Sequence, residues 1–257
     1  MRVYVAIILS LFLVSCNKVS ECTSPELIAH AGGGIEGFVY TNSREALEKS
    51  IADGYRYIEF DLVLTADSVL VAAHDWEEFN SITGLEHNGD TAPAFSDFLQ
   101  RRIYNRYTPL SAQDINAVFE SDTTLILVTD KISSPYLLAR NFPNLKRRMV
   151  VEAFSYDDYN LLRSQGYMNV LYSCMAHDIE SAIVKHLFLH PFFEGYKIEW
   201  IAMSIKHLDN LLFRLIDALF SLNFAMFTVN DYEDIPPRYR NATKMIYTDY
   251  IKPKADE

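Results

Sequence analysis

Short apolar runs recur along the chain, and most are followed by a longer stretch whose apolar positions repeat at helical spacing. The strand-like runs are residues 27–31, 57–61, 125–129, 149–154, 169–174, 200–204, 225–230 and 245–249. Amphipathic stretches at 43–53, 155–165, 179–189 and 208–219 lie between them. Asn42 is positioned to cap the first of these and Gly54 to stop it. Eight strands alternating with helices predict an α/β fold, a TIM (β/α)8 barrel, with an open doubly wound sheet as the rival architecture. No linker or shift in composition divides residues 26–257, so a single domain is expected, and no internal repeat is visible.

Two stretches break the alternation. Residues 69–73 form an extra strand-like run, joined to the second strand by the turn-forming Thr65-Ala66-Asp67-Ser68. Residues 75–109 are then long, polar and aromatic, with Trp76, Phe79, Phe95, Phe98, Tyr104 and Tyr107. An insertion of this length after the second strand is expected to be an active-site lid or a recognition element, or else a helical subdomain capping the barrel mouth.

The alternation is absent from the N-terminus. Arg2 precedes an apolar run over residues 3–14, interrupted only by Tyr4 and Ser10. Twelve helical residues rise about 18 Å, short of a hydrocarbon core of about 30 Å, so the run reads as a secretory signal peptide over 1–15. Its end, Leu13-Val14-Ser15-Cys16, resembles the lipobox of bacterial lipoproteins, in which the cysteine is acylated. The resemblance implies lipidation of Cys16, a tether over 16–25, and an exported protein anchored in a membrane on its periplasmic or cell-surface side.

The 257 residues carry a formal net charge of −11 and are 49% apolar. That apolar content supports a sizeable core, and the acidity argues against nucleic acid as a partner. Of three cysteines, only Cys22 and Cys174 remain beyond Cys16, with no zinc-ligand spacing; Cys174 reads as a buried thiol.

In a TIM barrel the chemistry lies at the C-terminal ends of the strands. Those ends supply His30, Glu59, Asp61, Asp130, Lys131, Glu152, Asn230 and Asp249. In Tyr57-Ile58-Glu59-Phe60-Asp61, alternate residues share a face, so Glu59 and Asp61 point together. Two converging buried carboxylates need a counter-charge: a hard divalent cation, Ca²⁺ or Mg²⁺, or a basic side chain from another strand. His30 and His74 each follow an apolar run and form a candidate acid–base pair. Gly32-Gly33-Gly34 would let backbone amides approach an anion.

Several of these pieces fall in one order: His30-Ala31-Gly32, Thr41-Asn42-Ser43-Arg44-Glu45-Ala46-Leu47, Gly54, Ile58-Glu59-Phe60-Asp61, Thr65, Asp67, Val71-Ala72-Ala73-His74-Asp75, Phe227-Thr228-Val229-Asn230 and Tyr247-Thr248-Asp249-Tyr250. This pattern resembles the glycerophosphodiester phosphodiesterases, whose runs are His-Arg-Gly, Pro-Glu-Asn-Thr, Glu-x-Asp, His-Asp and Trp-Thr-Val-Asn. The resemblance implies hydrolysis of a small phosphodiester with one divalent cation, Glu59 and Asp61 as metal ligands, His30 as base and His74 as acid. It also implies substrate contacts from Lys131, Asn42 and Glu152.

Two departures stand out. The family's arginine after the first histidine is Ala31 here. Its Glu-x-Lys on the third parallel strand is Thr129-Asp130-Lys131, which on a regular strand would turn Asp130 to the wrong face. A bulge or strand end at Thr129 is expected to turn Asp130 inward as the third metal ligand, with Glu152 as the alternative. Two other readings share the site: a phospholipase of C or D type acting on membrane lipid head groups, its aromatic insertion dipping into lipid, and a non-catalytic binding lipoprotein.

Overall fold

A computed structural model describes residues 24–174, 196, 198–207 and 223–254. The expected signal peptide, the tether as far as residue 23 with Cys16 and Cys22, the stretches 179–189 and 208–219, and the side chain of Cys174 lie outside the described residues.

Among the described residues nine strands form: β1 (Glu26–Ala29), β2 (Tyr57–Leu64), β3 (Leu70–Ala72), β4 (Ile126–Asp130), β5 (Met149–Ala153), β6 (Asn169–Cys174), β7 (Trp200–Ser204), β8 (Asn223–Phe227) and β9 (Thr243–Thr248). All except β3 are parallel to their neighbours, in the order β1-β9-β8-β7-β6-β5-β4-β2. Pairing of β1 with β2 closes the ring into the eight-stranded TIM barrel. That closing seam is short: two residue pairs, Ile28↔Tyr57 and Ala29↔Ile58, against five between β2 and β4.

Helices fill the outer layer between the strands: α1 (Arg44–Ala52), α4 (Ala112–Ser121), α5 (Pro135–Asn141) and α6 (Tyr156–Ser164). Their N-termini are capped by side chains that accept a backbone N–H two or three residues on, as with Ser111 and Asp114, which cap each other's amides reciprocally. For α1 the cap is Ser43, not Asn42. Asn42 sits instead at φ 49°, in the left-handed region that asparagine tolerates, and its side chain is turned to Asp61. Gly54, at φ 88°, follows the helix end as expected.

The strands sort their residues by alternation. Leu127, Val151 and Ala153 join Ile58, Phe60 and Leu62 in the large core between barrel and helices. Ile28, Val128, Val150, Leu171, Ala202, Ala225 and Met245 point inward and fill the barrel floor. On β4 the inward set is therefore Ile126, Val128 and Asp130, while the fully buried Thr129 lies on the outer face. Asp130 thus faces inward by regular alternation, in register with Asp61 and with no bulge between β2 and β4. The expected irregularity at Thr129 is absent because the phase of the strand, set by its pairing with β2, already suits Asp130.

Strand β2 runs three residues further than expected because β3 folds back on it, pairing Leu62 with Ala72 and Leu64 with Leu70. The insertion that follows carries two short helices, α2 (Trp76–Ile82) and α3 (Phe95–Gln100). Its aromatic side chains turn inward. Phe79 stacks on Phe98 at 4.8 Å between ring centres, Trp76 meets Phe79 edge-on, and Val71, Ile103 and Tyr107 complete a separate small core. It is a helical subdomain with its own core, and this packing leaves few apolar rings for a lipid surface. No helix among the described residues is long and apolar enough to cross a membrane.

Phe98 is fully buried at the centre of that core. Phe98→Ala should cost about 3–5 kcal/mol of stability in denaturant unfolding. A cost under about 1 kcal/mol would mean that the insertion is not a packed unit.

Candidate active site

The inward positions change character towards the C-terminal strand ends. Above the apolar floor, the next inward residues are Glu59 and Asp61 on β2, Asp130 on β4, Glu152 on β5, Ser173 on β6 and Tyr247 on β9. Together with His30, Tyr40, His74, Lys131, Phe154 and Phe227 they line a cavity of about 390 Å³ at the barrel mouth.

Carboxylate oxygens of Glu59, Asp61 and Asp130 lie within 4.8 Å of one another. One oxygen of Glu59 accepts the Ala31 N–H at 2.7 Å; the other, Oε1, is buried with no partner among the described residues. Asp61 accepts a hydrogen bond from the Asn42 side chain at 3.0 Å, and its own N–H donates back to the Asn42 carbonyl oxygen at 3.1 Å. Asn42 is fully buried with both amide atoms used in this way, so it braces Asp61 and does not reach the cavity as a substrate contact. Burial raises the Glu59 carboxyl well above its ordinary range, and the charges of Asp61 and Asp130 push it further. Asp61 is raised by burial and then by Asp130. Lys131, at 3.5 Å from Asp130 and 3.9 Å from Asp61, offsets this only in part. An orphaned buried oxygen within a set of all-oxygen donors fits a hard divalent cation. Glu152, the alternative third ligand, is not in this cluster.

The two histidines stand on opposite sides of Tyr40, whose ring meets His30 edge-on at 4.6 Å and His74 at 5.2 Å. His30 lies just past β1, with Nδ1 3.1 Å from Asp249 Oδ1. Asp249 is held in turn by Asn230, whose amide donates to it at 2.9 Å and whose carbonyl oxygen accepts its N–H at 2.8 Å. His74 Nδ1 faces two carboxylates, Asp75 at 2.7 Å and Glu78 at 3.1 Å. Its Nε2 is 3.4 Å from the Lys131 ammonium on the cavity side. Glu78 is the largest influence on this ring; burial opposes it, Asp61 and Asp75 reinforce it, and the imidazole is held up at about 9.

Glu152 occupies the far wall, where the Tyr247 hydroxyl donates to it at 2.5 Å. Burial, then the charge of Asp130, pushes it up to about 8. Phe154 and Phe227 line the same cavity, and the Phe227 ring meets that of Tyr247 edge-on at 6.1 Å. Lys131 and Glu152 both line the cavity.

The glycine triplet has another purpose than an anion cradle. The Gly33 N–H is bonded to the His30 carbonyl and that of Gly34 to the Asp249 carbonyl. A Cβ on Gly33 would lie 2.2 Å from Ser50 Oγ, and one on Gly34 2.5 Å from the Asp249 carbonyl oxygen. The glycines let the loop carrying His30 press against α1 and the end of β9.

Sequence reasoning missed Tyr40, Ser173, Phe154 and Glu78, and gave no role to Tyr247, Phe227 and Asp75, which it named only within motifs. Alternation back from Asp249 leads to Tyr247, and forward from Leu171 to Ser173. Nothing local marks Tyr40, which reaches the mouth from a loop.

Comparison with known proteins agrees with this geometry. Residues 33–163, just over half of the chain, match the model of the glycerophosphoryl diester phosphodiesterase family. No curated protein sequence matches. Among solved structures, the chain is similar to a glycerophosphodiester phosphodiesterase from Thermotoga maritima, with a TM-score of 0.67 and 15% identity over 88% of this chain and 95% of that one. One from Parabacteroides distasonis gives 0.63 and 19% over 88% and 93%. A phosphodiesterase from Oleispira antarctica, in complex with the product sn-glycerol-3-phosphate, gives 0.62 and 17% over 88% and 94%. With the family model spanning both carboxylate strands and His74, the chain belongs to the glycerophosphoryl diester phosphodiesterase family and is a phosphodiesterase built on a TIM barrel.

Proposed function

We propose that the enzyme hydrolyses glycerophosphodiester-type substrates to an alcohol and glycerol phosphate, using one divalent cation, Ca²⁺ or Mg²⁺, and the histidine pair. The observation that carries this reading is the convergence of Glu59, Asp61 and Asp130 in the same cavity as two histidines, each with a carboxylate on Nδ1. The product bound to the Oleispira antarctica phosphodiesterase supports glycerol phosphate as the product here.

Glu59, Asp61 and Asp130 would hold the cation, which when bound supplies positive charge against the phosphoryl oxygens. Asp249 keeps the proton of His30 on Nδ1, leaving the Nε2 lone pair free to take a proton from the attacking water. As the new P–O bond forms and the bond to the leaving oxygen breaks, His74 delivers its Nε2 proton to that oxygen. Lys131 is the one ammonium on the cavity wall among the described residues and contacts the phosphate in place of the arginine that Ala31 lacks. Glu152, with Phe154, Phe227 and Tyr247 on the same cavity wall, receives the rest of the substrate. The inward packing of Trp76, Phe79 and Phe98 gives the lipid-surface phospholipase reading no support. The leader and Leu13-Val14-Ser15-Cys16 support an exported lipoprotein anchored on the periplasmic or cell-surface side.

The test is release of glycerol phosphate from glycerophosphocholine, glycerophosphoethanolamine and glycerophosphoinositol after chelation, with Ca²⁺ or Mg²⁺ restored. Glu59→Gln should lower the restored rate by roughly a hundredfold or more while the protein stays folded. A variant with normal turnover and cation affinity sinks the metal assignment.

Because Glu59, Asp61 and Glu152 have raised values when folded, they bind protons more tightly in the native state than in the unfolded chain. Chelated protein should therefore lose stability as pH rises from the ordinary carboxylate range through about 8, and added cation should flatten the trend. Melting curves across that range check it; a Tm that climbs with pH in chelator would contradict the assignment. For the anchor, Cys16→Ala should move the protein from the membrane fraction to the soluble one, and continued membrane retention would refute lipidation.

A further inference from the structure

The two histidines are held differently. His30 faces one carboxylate, Asp249, whose charge is already shared with the Asn230 amide. His74 faces two, and both come from the insertion. Asp75 caps α2: its Oδ1 accepts the Glu78 N–H at 2.7 Å while its Oδ2 holds the His74 ring. The cap thereby fixes the backbone of Glu78, and the spacing of four residues returns the Glu78 carboxylate to the same Nδ1.

One Nδ1–H between two carboxylates is an arrangement that suits a positively charged ring. The other groups facing His74 are Asp61 from β2, Lys131 from the end of β4, and the Tyr40 ring. Lys131 opposes a charge on the ring, and Asp61 favours it. Without Glu78 the balance rests on Asp75, which is half exposed, and on Asp61.

We propose that Glu78 is a positioning residue for proton donation: with Asp75 it fixes the Nδ1–H edge of His74, so that the ring presents Nε2–H to the leaving oxygen in the cavity. This rests on the reading of His74 as the acid. In the step itself, the bond from phosphorus to the leaving oxygen breaks, its electron pair stays on that oxygen, and the oxygen takes the Nε2 proton. The ring is left neutral, its Nδ1–H still directed at the two carboxylates, and regains a proton from solvent. The inference gives the insertion a chemical purpose: it carries the pair of acids that orient the proton donor.

Glu78→Gln keeps the shape of the side chain and removes its charge. Two measurements test it in the full-length protein. The first is titration of the His74 ring by NMR in chelated protein, where the midpoint should fall from about 9 towards the ordinary imidazole value. The second is the pH–rate profile with Ca²⁺ or Mg²⁺ on two substrates, one with an alkoxide leaving group and one an activated aryl phosphodiester. For the alkoxide, kcat above neutral pH should fall about tenfold with KM little changed, and the alkaline limb should move to lower pH. The aryl ester, which leaves without a proton, should be nearly unaffected, and Glu78→Asp should restore part of the loss. Equal losses on both substrates, or an unmoved titration and alkaline limb, would overturn the proposal. If the wild-type protein hydrolyses no phosphodiester, the proposed reaction falls, and the NMR titration still decides whether Glu78 holds the charge on His74.

Discussion

Mutual repulsion among buried carboxyl groups at one end of the barrel is the constraint around which the rest is arranged. Glu59, Asp61, Asp130 and Glu152 all face the same cavity, and Asp249 stands beside it behind His30. Such a concentration of acid in a low-dielectric interior would be severely unfavourable without compensation. The compensations account for much of the local structure. The Ala31 amide and the Asn42 side chain are aimed at carboxylate oxygens, Tyr247 donates to Glu152, Lys131 lies over Asp130 and Asp61, and Asn230 braces Asp249. What remains without a partner among the described residues is the second oxygen of Glu59, in a cluster of carboxylates that could hold a cation.

The apolar floor separates this charged layer from the rest of the molecule. Small and branched side chains such as Ala202, Ala225, Val128 and Val150 fill the barrel below it. Apolar packing and polar groups thus occupy successive layers of the same strands, with the switch made by a step of two residues: Val128 to Asp130, Val150 to Glu152, Leu171 to Ser173.

Much of this was legible from the chain. Alternation gave the shared face of Glu59 and Asp61, and the eight strand runs gave the barrel, because each is a local pattern with a fixed period. Asp130 faces inward as expected but without the expected bulge, since the face a residue takes depends on the phase of its whole strand, and the inward Ile126 and Val128 fix that phase. Asn42 was mistaken for a cap because Ser43, the next residue, does that work; the hydrogen bonds that claim its amide come from Asp61, nineteen residues away. The glycine triplet looked like an anion cradle, whereas its neighbours Ser50 and Asp249 are distant in sequence and could not be foreseen. Tyr40 lies in a loop without periodicity, and only the assembled mouth sets it between two imidazoles.

The short seam between β1 and β2 has a consequence for the whole ring. The strand pairing ends at Ala29↔Ile58, and two residues on, the Ala31 N–H bonds to the Glu59 side chain. One carboxylate therefore serves as the last stitch of the barrel with one oxygen and offers the other to the cavity. Whatever draws that carboxylate towards the cavity also pulls on the stitch, so occupancy of the mouth and tightness of the seam are thermodynamically linked in both directions. The ring is fastened least by backbone where its acid groups are densest, and its clasp is one of those acids.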